Sequence, residues 1–511
     1  MCLNSNHFKL FNMKSIPQNK QSRREFIKVS ALTTAGLSLA PYLANAEPQK
    51  LSGTLMKRDF GKLGFKVTTM GLGGQSSIQW TPENIDPVAI ILKAYQSGIN
   101  YFDTSNVYGP SQMNYGKAFR QLGLVPETPN YDAAKREAIF LTSKTMLRFA
   151  KGGDDRKDVI GSSNGPKGSK ALDDIRRTLS QVFGDGIGTY PKDAYVNMVL
   201  IHNLTKVGEV DALYEGYDNT DPNVPTIGAL AALRDVRDGT NRTGLNPKNE
   251  KLIRHIGFSG HTDPSVMIEM IQRDTENMLE GMLVAINAND KLNFNMQHNV
   301  IPVAAAKNMG IIAMKVFADG AMYTKKAEWS NKPEHVVLQV GSADVPANEL
   351  IRYSLTTPGI HTAIIGIGMI NDDPSKCQLH YNLGAAQVKP NAMNKEDREK
   401  IELIAAKVKE GKTNYFQKQD PGLQPPRDLK VNQKEFDITV TWHTAYAGDA
   451  PLDRYEVWCN NEKVAEVPYK PQTTKEPLKY TTKLRSKNFQ DYVVKVVDKK
   501  NRVAETASVR L

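Results

Sequence analysis

Cysteine is nearly absent. Cys2, Cys377 and Cys459 are the only three in 511 residues, too few and too scattered for a disulfide framework, a zinc site or an iron–sulfur cluster. They specify no redox compartment. Past residue 46 no run approaches the roughly 18 apolar residues of a membrane helix, so the mature chain is expected to be soluble, without a membrane span. There is no His-Glu-x-x-His, no Gly-x-Ser-x-Gly and no cysteine cluster, so zinc-hydrolase and serine-hydrolase chemistry find no support, and no metal is expected. Gly71-Leu72-Gly73-Gly74 lacks the spacing of a Rossmann fingerprint or a Walker A loop and reads as a turn. A strong charge imbalance is also missing. The formal charge is +11, but residues 1–46 hold Lys9, Lys14, Lys20, Arg23, Arg24 and Lys28 against Glu25, which leaves +6 on the rest. Those bases are interspersed with acids, so no nucleic-acid partner is indicated.

What is present is enough for two or three domains, with 40% hydrophobic and 24% charged residues. Ser22-Arg23-Arg24-Glu25-Phe26-Ile27-Lys28 precedes a moderately apolar run, Val29 to Leu43, that closes in Ala44-Asn45-Ala46. A basic start, apolar middle and small-x-small end make residues 1–46 an expected secretory signal. The arginine pair resembles a twin-arginine export signal. This implies a periplasmic or otherwise extracytoplasmic protein, exported folded with any cofactor already bound. An uncleaved anchor is the alternative.

From about residue 68 to 385 short apolar runs alternate with segments of helical spacing. The strand candidates are Thr68–Leu72, Asn100–Asp103, Ile139–Ser143, Asn197–His202, Ile253–Ser259, Met282–Asn287, Ile311–Val316 and Thr362–Ile367. Eight strands, each followed by a helix, predict an α/β fold, a (β/α)8 TIM barrel over 47–411. A hairpin around Gly61-Lys62-Leu63-Gly64 is placed to plug the barrel floor. Polar inserts at 151–170 and 204–226 follow the third and fourth strands, as substrate walls and lids or as surface decoration. Asn394 to Gly411 reads as a charged amphipathic helix capped by Asn394.

Gln417–Pro426 is rich in Pro, Gly and Gln, and residues 412–424 read as a linker. Beyond them the period changes to two, as in Ile438-Thr439-Val440-Thr441-Trp442, which predicts an all-β sandwich over 425–511. With Pro425-Pro426 at its entry, Asp453-Arg454-Tyr455 in a third strand and Tyr492 to Val496 late, it resembles a fibronectin type III module of the immunoglobulin-like class. Trp442 and Tyr492 are expected in its core. Its expected role is to space, dock or bind a glycan or protein ligand.

Chemistry gathers at three consecutive strand ends. Asp103 closes the second, with Tyr108 five residues on in a polar turn. Ser143-Lys144 closes the third and Ile201-His202 the fourth. In a barrel these ends share one face. A lone Lys or His at a strand end is ordinary; four groups in register are not. A phenol with a pKa of about 10 is a poor acid–base catalyst near neutrality. A neighbouring ammonium is expected to lower that value, and a carboxylate to hold the ammonium in place.

Asp103-Thr104-Ser105 … Tyr108-Gly109, Ser143-Lys144 and Leu200-Ile201-His202 resemble the tetrad of the aldo-keto reductase superfamily, over about residues 57–385. The resemblance implies a barrel that binds NADP or NAD without a Rossmann motif, reducing a carbonyl or oxidising an alcohol of a small molecule or sugar. It implies Tyr108 as general acid/base, Lys144 and Asp103 as its supporting ion pair, and His202 as the group orienting the substrate. It places the cofactor against Ser259, Lys315, Gly366, Gly368 and Asn382. This sequence departs from the family pattern at Gly260-His261, at Ala285 to Asn289, and at Asp372-Asp373, where an acidic pair would disfavour a 2′-phosphate. The alternatives on the same fold are a non-catalytic or sensory barrel and an exported sugar-processing or glycan-binding protein.

Overall fold

The computed structural model describes residues 54–511 except 160, 219–220, 343–344 and 485–488. The export signal expected at 1–46 lies outside the described residues. Eight parallel strands close into a barrel: β1 (Met70–Leu72), β2 (Tyr101–Asp103), β3 (Phe140–Thr145), β4 (Val196–Ile201), β5 (Ile253–Gly260), β6 (Leu279–Ala285), β7 (Gly310–Met314) and β8 (Thr362–Ile365), with β8 pairing back onto β1. The eight expected strands are these, with ends moved by a few residues. β3 runs one residue past Lys144, and His202 lies just beyond β4 rather than within it.

Helices follow the strands: α1 (Pro87–Gln96), α2 (Ser111–Leu122), α3 (Ala171–Phe183), α4 (Ala229–Asp238), α5 (Pro264–Arg273), α6 (Val300–Ala306), α7 (Ala347–Leu355) and α8 (Gln378–Ala386). Their starts are written locally. Asp86 and Asp263 accept from the N–H of the second residue of α1 and α5, Val88 and Ser265, each helix opening on a proline that has no N–H of its own. A further helix, α9 (Lys395–Ala405), is capped by Asn394, whose side chain accepts from the Asp397 N–H at 2.8 Å. It ends six residues before the expected Gly411, because the chain turns left-handed at Lys409 and Glu410.

The floor is plugged as expected. Lys57–Asp59 pairs antiparallel with Lys66–Thr68, and the turn inserts Phe60 and Leu63 among Tyr101, Phe140, Met198, Leu283 and Ile312. Phe60 meets the rings of Tyr101 and Phe140 edge-on at 5.7 and 5.4 Å. Gly61 makes the insertion feasible: its φ is +55°, and a Cβ there would lie 2.6 Å from the Met309 carbonyl carbon.

After α9, a three-stranded antiparallel sheet, β9 (Arg427–Lys434), β10 (Asp437–His443) and β13 (Leu478–Lys483), faces a second sheet. The second is built on β11 (Leu452–Cys459), β12 (Glu462–Pro468) and β14 (Asp491–Asp498). Alternation places Ile438, Val440 and Trp442 inward against Tyr455, Tyr492, Val494 and Val496. Trp442 and Tyr492 are both fully buried. Among the described residues no helix is long and apolar enough to cross a membrane.

The expected linker is bonded to the barrel along its first half. Gln417 donates to Asp290 at 2.7 Å, Asn414 and Asn287 exchange amide hydrogen bonds, and Lys418 donates its N–H to the Thr262 carbonyl at 2.8 Å. Asn299, ahead of α6, donates to the Ala447 carbonyl at 3.0 Å and accepts from the Ala447 N–H at 2.9 Å. Gln272 donates to the Gln472 carbonyl at 2.8 Å, and Phe294 packs edge-on against Tyr446.

Candidate active site

The four residues expected to act together meet at the carboxyl ends of β2, β3 and β4. Lys144 Nζ donates to Asp103 Oδ1 at 2.5 Å and to the Thr104 carbonyl at 2.8 Å, and both charged side chains are fully buried. The ammonium lies over the face of the Tyr108 ring, 4.6 Å from its centre. Tyr108 Oη and His202 Nε2 are 3.5 Å apart, with the rings edge to face. Gly74 lets the turn after β1 close against this group, since a Cβ there would lie 2.3 Å from the Asp103 carbonyl oxygen. Among the described residues Asp103 Oδ2 has no hydrogen-bond partner, so the carboxylate depends on the Lys144 ammonium.

The electrostatics correct one expectation. Tyr108 is not pulled below the usual phenol range. Burial first, then the carboxylates of Asp103 and Asp319, push it well above that range. Burial likewise raises Asp103 and lowers Lys144 from their ordinary values, and their mutual attraction opposes both shifts. His202 is held well below the ordinary imidazole value, by burial and then by Lys144, His261, Arg148 and Lys315. The resting site therefore presents a protonated phenol beside a neutral imidazole, the state a general acid requires.

A cleft opens beside Tyr108 and Asp103 and runs along the exits of β7, β8 and β1. It has a volume of about 1050 Å³, open solvent at its mouth included. Lys315, Gly366 and Asn382 line it, as do Gly73, Ser76, Trp80 and Gln378. Ser259 and Gly368 do not. Ser259 is buried, and its hydroxyl accepts from the Asn203 N–H at 2.9 Å. Gly368 lies under the strap after β7, where a Cβ would meet the Val337 oxygen at 2.1 Å. Gln378 ties that strap down, donating to the Val337 and Gln339 carbonyls at 2.9 and 2.6 Å while accepting from the Gly368 N–H at 2.7 Å.

One wall of the cleft was not legible in the sequence. Asp319, left-handed at φ +57°, is 3.8 Å from Lys315 and 3.7 Å from Lys325, and accepts from the Tyr415 hydroxyl at 2.9 Å. Lys315 in turn lies 4.6 Å from the Trp329 ring centre, and Trp329 packs on His261 and Tyr415. Burial pushes His261 down to about 3, so it adds no charge. The only signal available was the departure Gly260-His261; nothing marked Tyr415 or Trp329 as a neighbour of Asp319.

Tyr108, Lys315 and Asn382 line one cleft, so a proton donor, a cation and an amide face the space that a nicotinamide dinucleotide would take. Lys315 and Lys325 against Asp319 leave one positive charge in excess on the wall, the sign that phosphates need. The acidic pair past β8 is not bare, because Asp372 is 3.3 Å from Lys93 and Asp373 is 3.6 Å from Lys376. That weakens the like-charge argument against a 2′-phosphate. Among the described residues, no three His, Cys, Asp or Glu side chains are grouped as metal ligands.

Residues 69–352 match the aldo/keto reductase family, more than half of the chain. Solved structures of low identity are similar to the chain over about two thirds of its length. An aldo-keto reductase from Bacillus halodurans, in its holo form, is 16% identical, covering 68% of this chain and 96% of its own, with a TM-score of 0.39. One from Klebsiella pneumoniae in complex with NADPH is 13% identical, over 70% and 96%, with a TM-score of 0.39. One from Bombyx mori in complex with NADP is 13% identical, over 69% and 94%, with a TM-score of 0.41. The chain belongs to the aldo/keto reductase family.

Proposed function

We propose that this protein reduces a carbonyl, or oxidises the corresponding alcohol, with Tyr108 as general acid/base. The observation that carries the reading is the convergence of Asp103, Lys144, Tyr108 and His202 at one barrel mouth that opens on a dinucleotide-sized cleft. Lys315, Gly366 and Asn382 would hold NADP or NAD, which supplies the hydride when bound. Tyr108 Oη would deliver the proton to the developing alkoxide, and His202 Nε2 would donate a second hydrogen bond to the same oxygen. Lys144, held over the phenol ring by Asp103, opposes the negative charge that forms on Tyr108 as its proton leaves.

The substrate class is a small carbonyl compound or keto-sugar, supported by the mixed aromatic and amide lining of Trp80, Phe317, Tyr323, Gln75 and Gln339. Export by the twin-arginine route with the cofactor loaded is supported by Arg23-Arg24 and the small-x-small close at Ala44 to Ala46. The C-terminal module is read as fibronectin type III-like, on its two antiparallel sheets and buried Trp442, with a glycan or protein as its ligand. The test is direct. The full chain should oxidise NADPH or NADH with at least one member of a panel of aldehydes, ketones and keto-sugars, and cofactor fluorescence should change on binding. No binding and no turnover across the panel would refute the enzyme reading.

A further inference from the structure

The hydrogen bond at the far nitrogen of His202 has a consequence for its proton. Tyr108 Oη faces Nε2, whereas Ser105 Oγ lies 3.3 Å from Nδ1. Ser105 is buried, and its hydroxyl has two hydrogen-bond contacts among the described residues, Nδ1 and the Val107 N–H at 3.4 Å. The amide can only donate to Oγ, so the hydroxyl proton has one acceptor in reach, Nδ1. A buried hydroxyl that leaves its proton unpaired is unfavourable. The charged and titratable groups around the ring are Lys144 on β3, Arg148 after it, His261 after β5 and Lys315 after β7, with Tyr108 at the edge. The cations repel a second proton, so the imidazole holds one.

We infer that Ser105 is a positioning residue that fixes His202 as the tautomer protonated on Nε2, leaving two donors, Tyr108 Oη–H and His202 Nε2–H, 3.5 Å apart, the first of them lining the cleft. A carbonyl oxygen has two lone pairs and can accept from both. With the proton on Nδ1 instead, Nε2 would present a lone pair to that oxygen and compete with it for the Tyr108 proton. Ser105 therefore decides whether His202 assists Tyr108 or opposes it. It does so without touching substrate. The inference rests on the catalytic reading above only for its kinetic consequence; the tautomer itself is a property of the resting protein.

The experiment is long-range 1H–15N correlation on the full chain labelled at histidine, with His202→Asn used to assign the ring. Wild type should show His202 as a single neutral tautomer, its unprotonated Nδ1 carrying the shift of a hydrogen-bond acceptor. In Ser105→Ala that shift should vanish, and in Ser105→Thr, which keeps a hydroxyl, it should return. A wild-type ring protonated on Nδ1, or a spectrum unchanged in Ser105→Ala, would overturn the inference even if the protein turns over. In kinetics, Ser105→Ala should lower kcat about tenfold, the loss of one hydrogen bond of about 1.4 kcal/mol. The KM for cofactor should not move, and Ser105→Thr should recover most of the rate. Normal kcat in Ser105→Ala would overturn the catalytic consequence. Absence of turnover in wild type would count against the functional reading and leave the spectroscopic result to decide the tautomer.

Discussion

At the scale of single residues, the site is governed by one buried ion pair. Asp103 and Lys144 are fully buried at 2.5 Å, and Asp103 Oδ2 has no hydrogen-bond donor among the described residues. Breaking such a pair leaves a charge without a partner, whereas replacing both members with apolar groups need not destabilise. Lys144→Met should therefore cost about 3–5 kcal/mol of stability in chemical denaturation. The double variant Lys144→Met/Asp103→Leu should regain most of that loss while staying inactive. A single variant as stable as wild type would show that the pair does not carry its local structure. Asp103, Tyr108, Lys144 and His202 were legible because a charged residue at the end of an apolar run is a local pattern, and β-strand order brings such ends together. The direction of the Tyr108 shift was not legible. It depends on burial and on Asp319, more than two hundred residues away in the chain, and neither is a property of the motif.

At the scale of elements, the catalytic loop is held from outside the barrel. Asn106, between Ser105 and Tyr108, accepts from Ser163 Oγ and the Asn164 N–H at 3.3 Å each and donates to the Asp174 carbonyl at 3.4 Å. The insert at 151–170 thus braces the turn that presents Tyr108, through the first turn of α3. Asp174 accepts from Ser163 Oγ at 2.5 Å and from Thr145 Oγ1 at 2.7 Å, yet burial raises its carboxyl to about 6. In the unfolded chain that carboxyl ionises near 4, so between about pH 4 and 6 the folded state binds more protons than the unfolded one. Its contribution is fully present below that window and declines as pH rises through it, by at most about 3 kcal/mol. In Asp174→Asn, denaturation midpoints measured from pH 4 to 7 should lose this decline. A decline of equal size in the variant would assign it to another group. The eight strands were legible from their apolar runs. The brace was not, because residues 151–170 are polar and carry no period, and only their contact with Asn106 gives them a role.

At the scale of the whole molecule, barrel and sandwich are joined by specific bonds rather than by a free linker. Composition marked 412–424 as a connector, since Gly, Pro and Gln make no element of their own. What composition could not mark is that Gln417 and Asn414 take their partners, Asp290 and Asn287, from more than a hundred residues earlier. Asn299 pairs with both backbone groups of Ala447 from a buried position. Asn299→Ala leaves that N–H unsatisfied and the carbonyl with only the 3.5 Å contact from Asn295 Nδ2, so a cost of about 1–3 kcal/mol is expected. Calorimetry should then separate the unfolding of the two parts; one unchanged transition would show that the contact does not couple them. All of this serves a barrel mouth whose central claim is proton delivery by Tyr108. The most direct measurement is single-turnover oxidation of bound NADPH or NADH by the full chain and by Tyr108→Phe, each saturated with the best substrate of the carbonyl panel. The account predicts a rate lower by about 10²–10⁴ in the variant, with cofactor affinity within about twofold of wild type. Equal rates in the two proteins would contradict it.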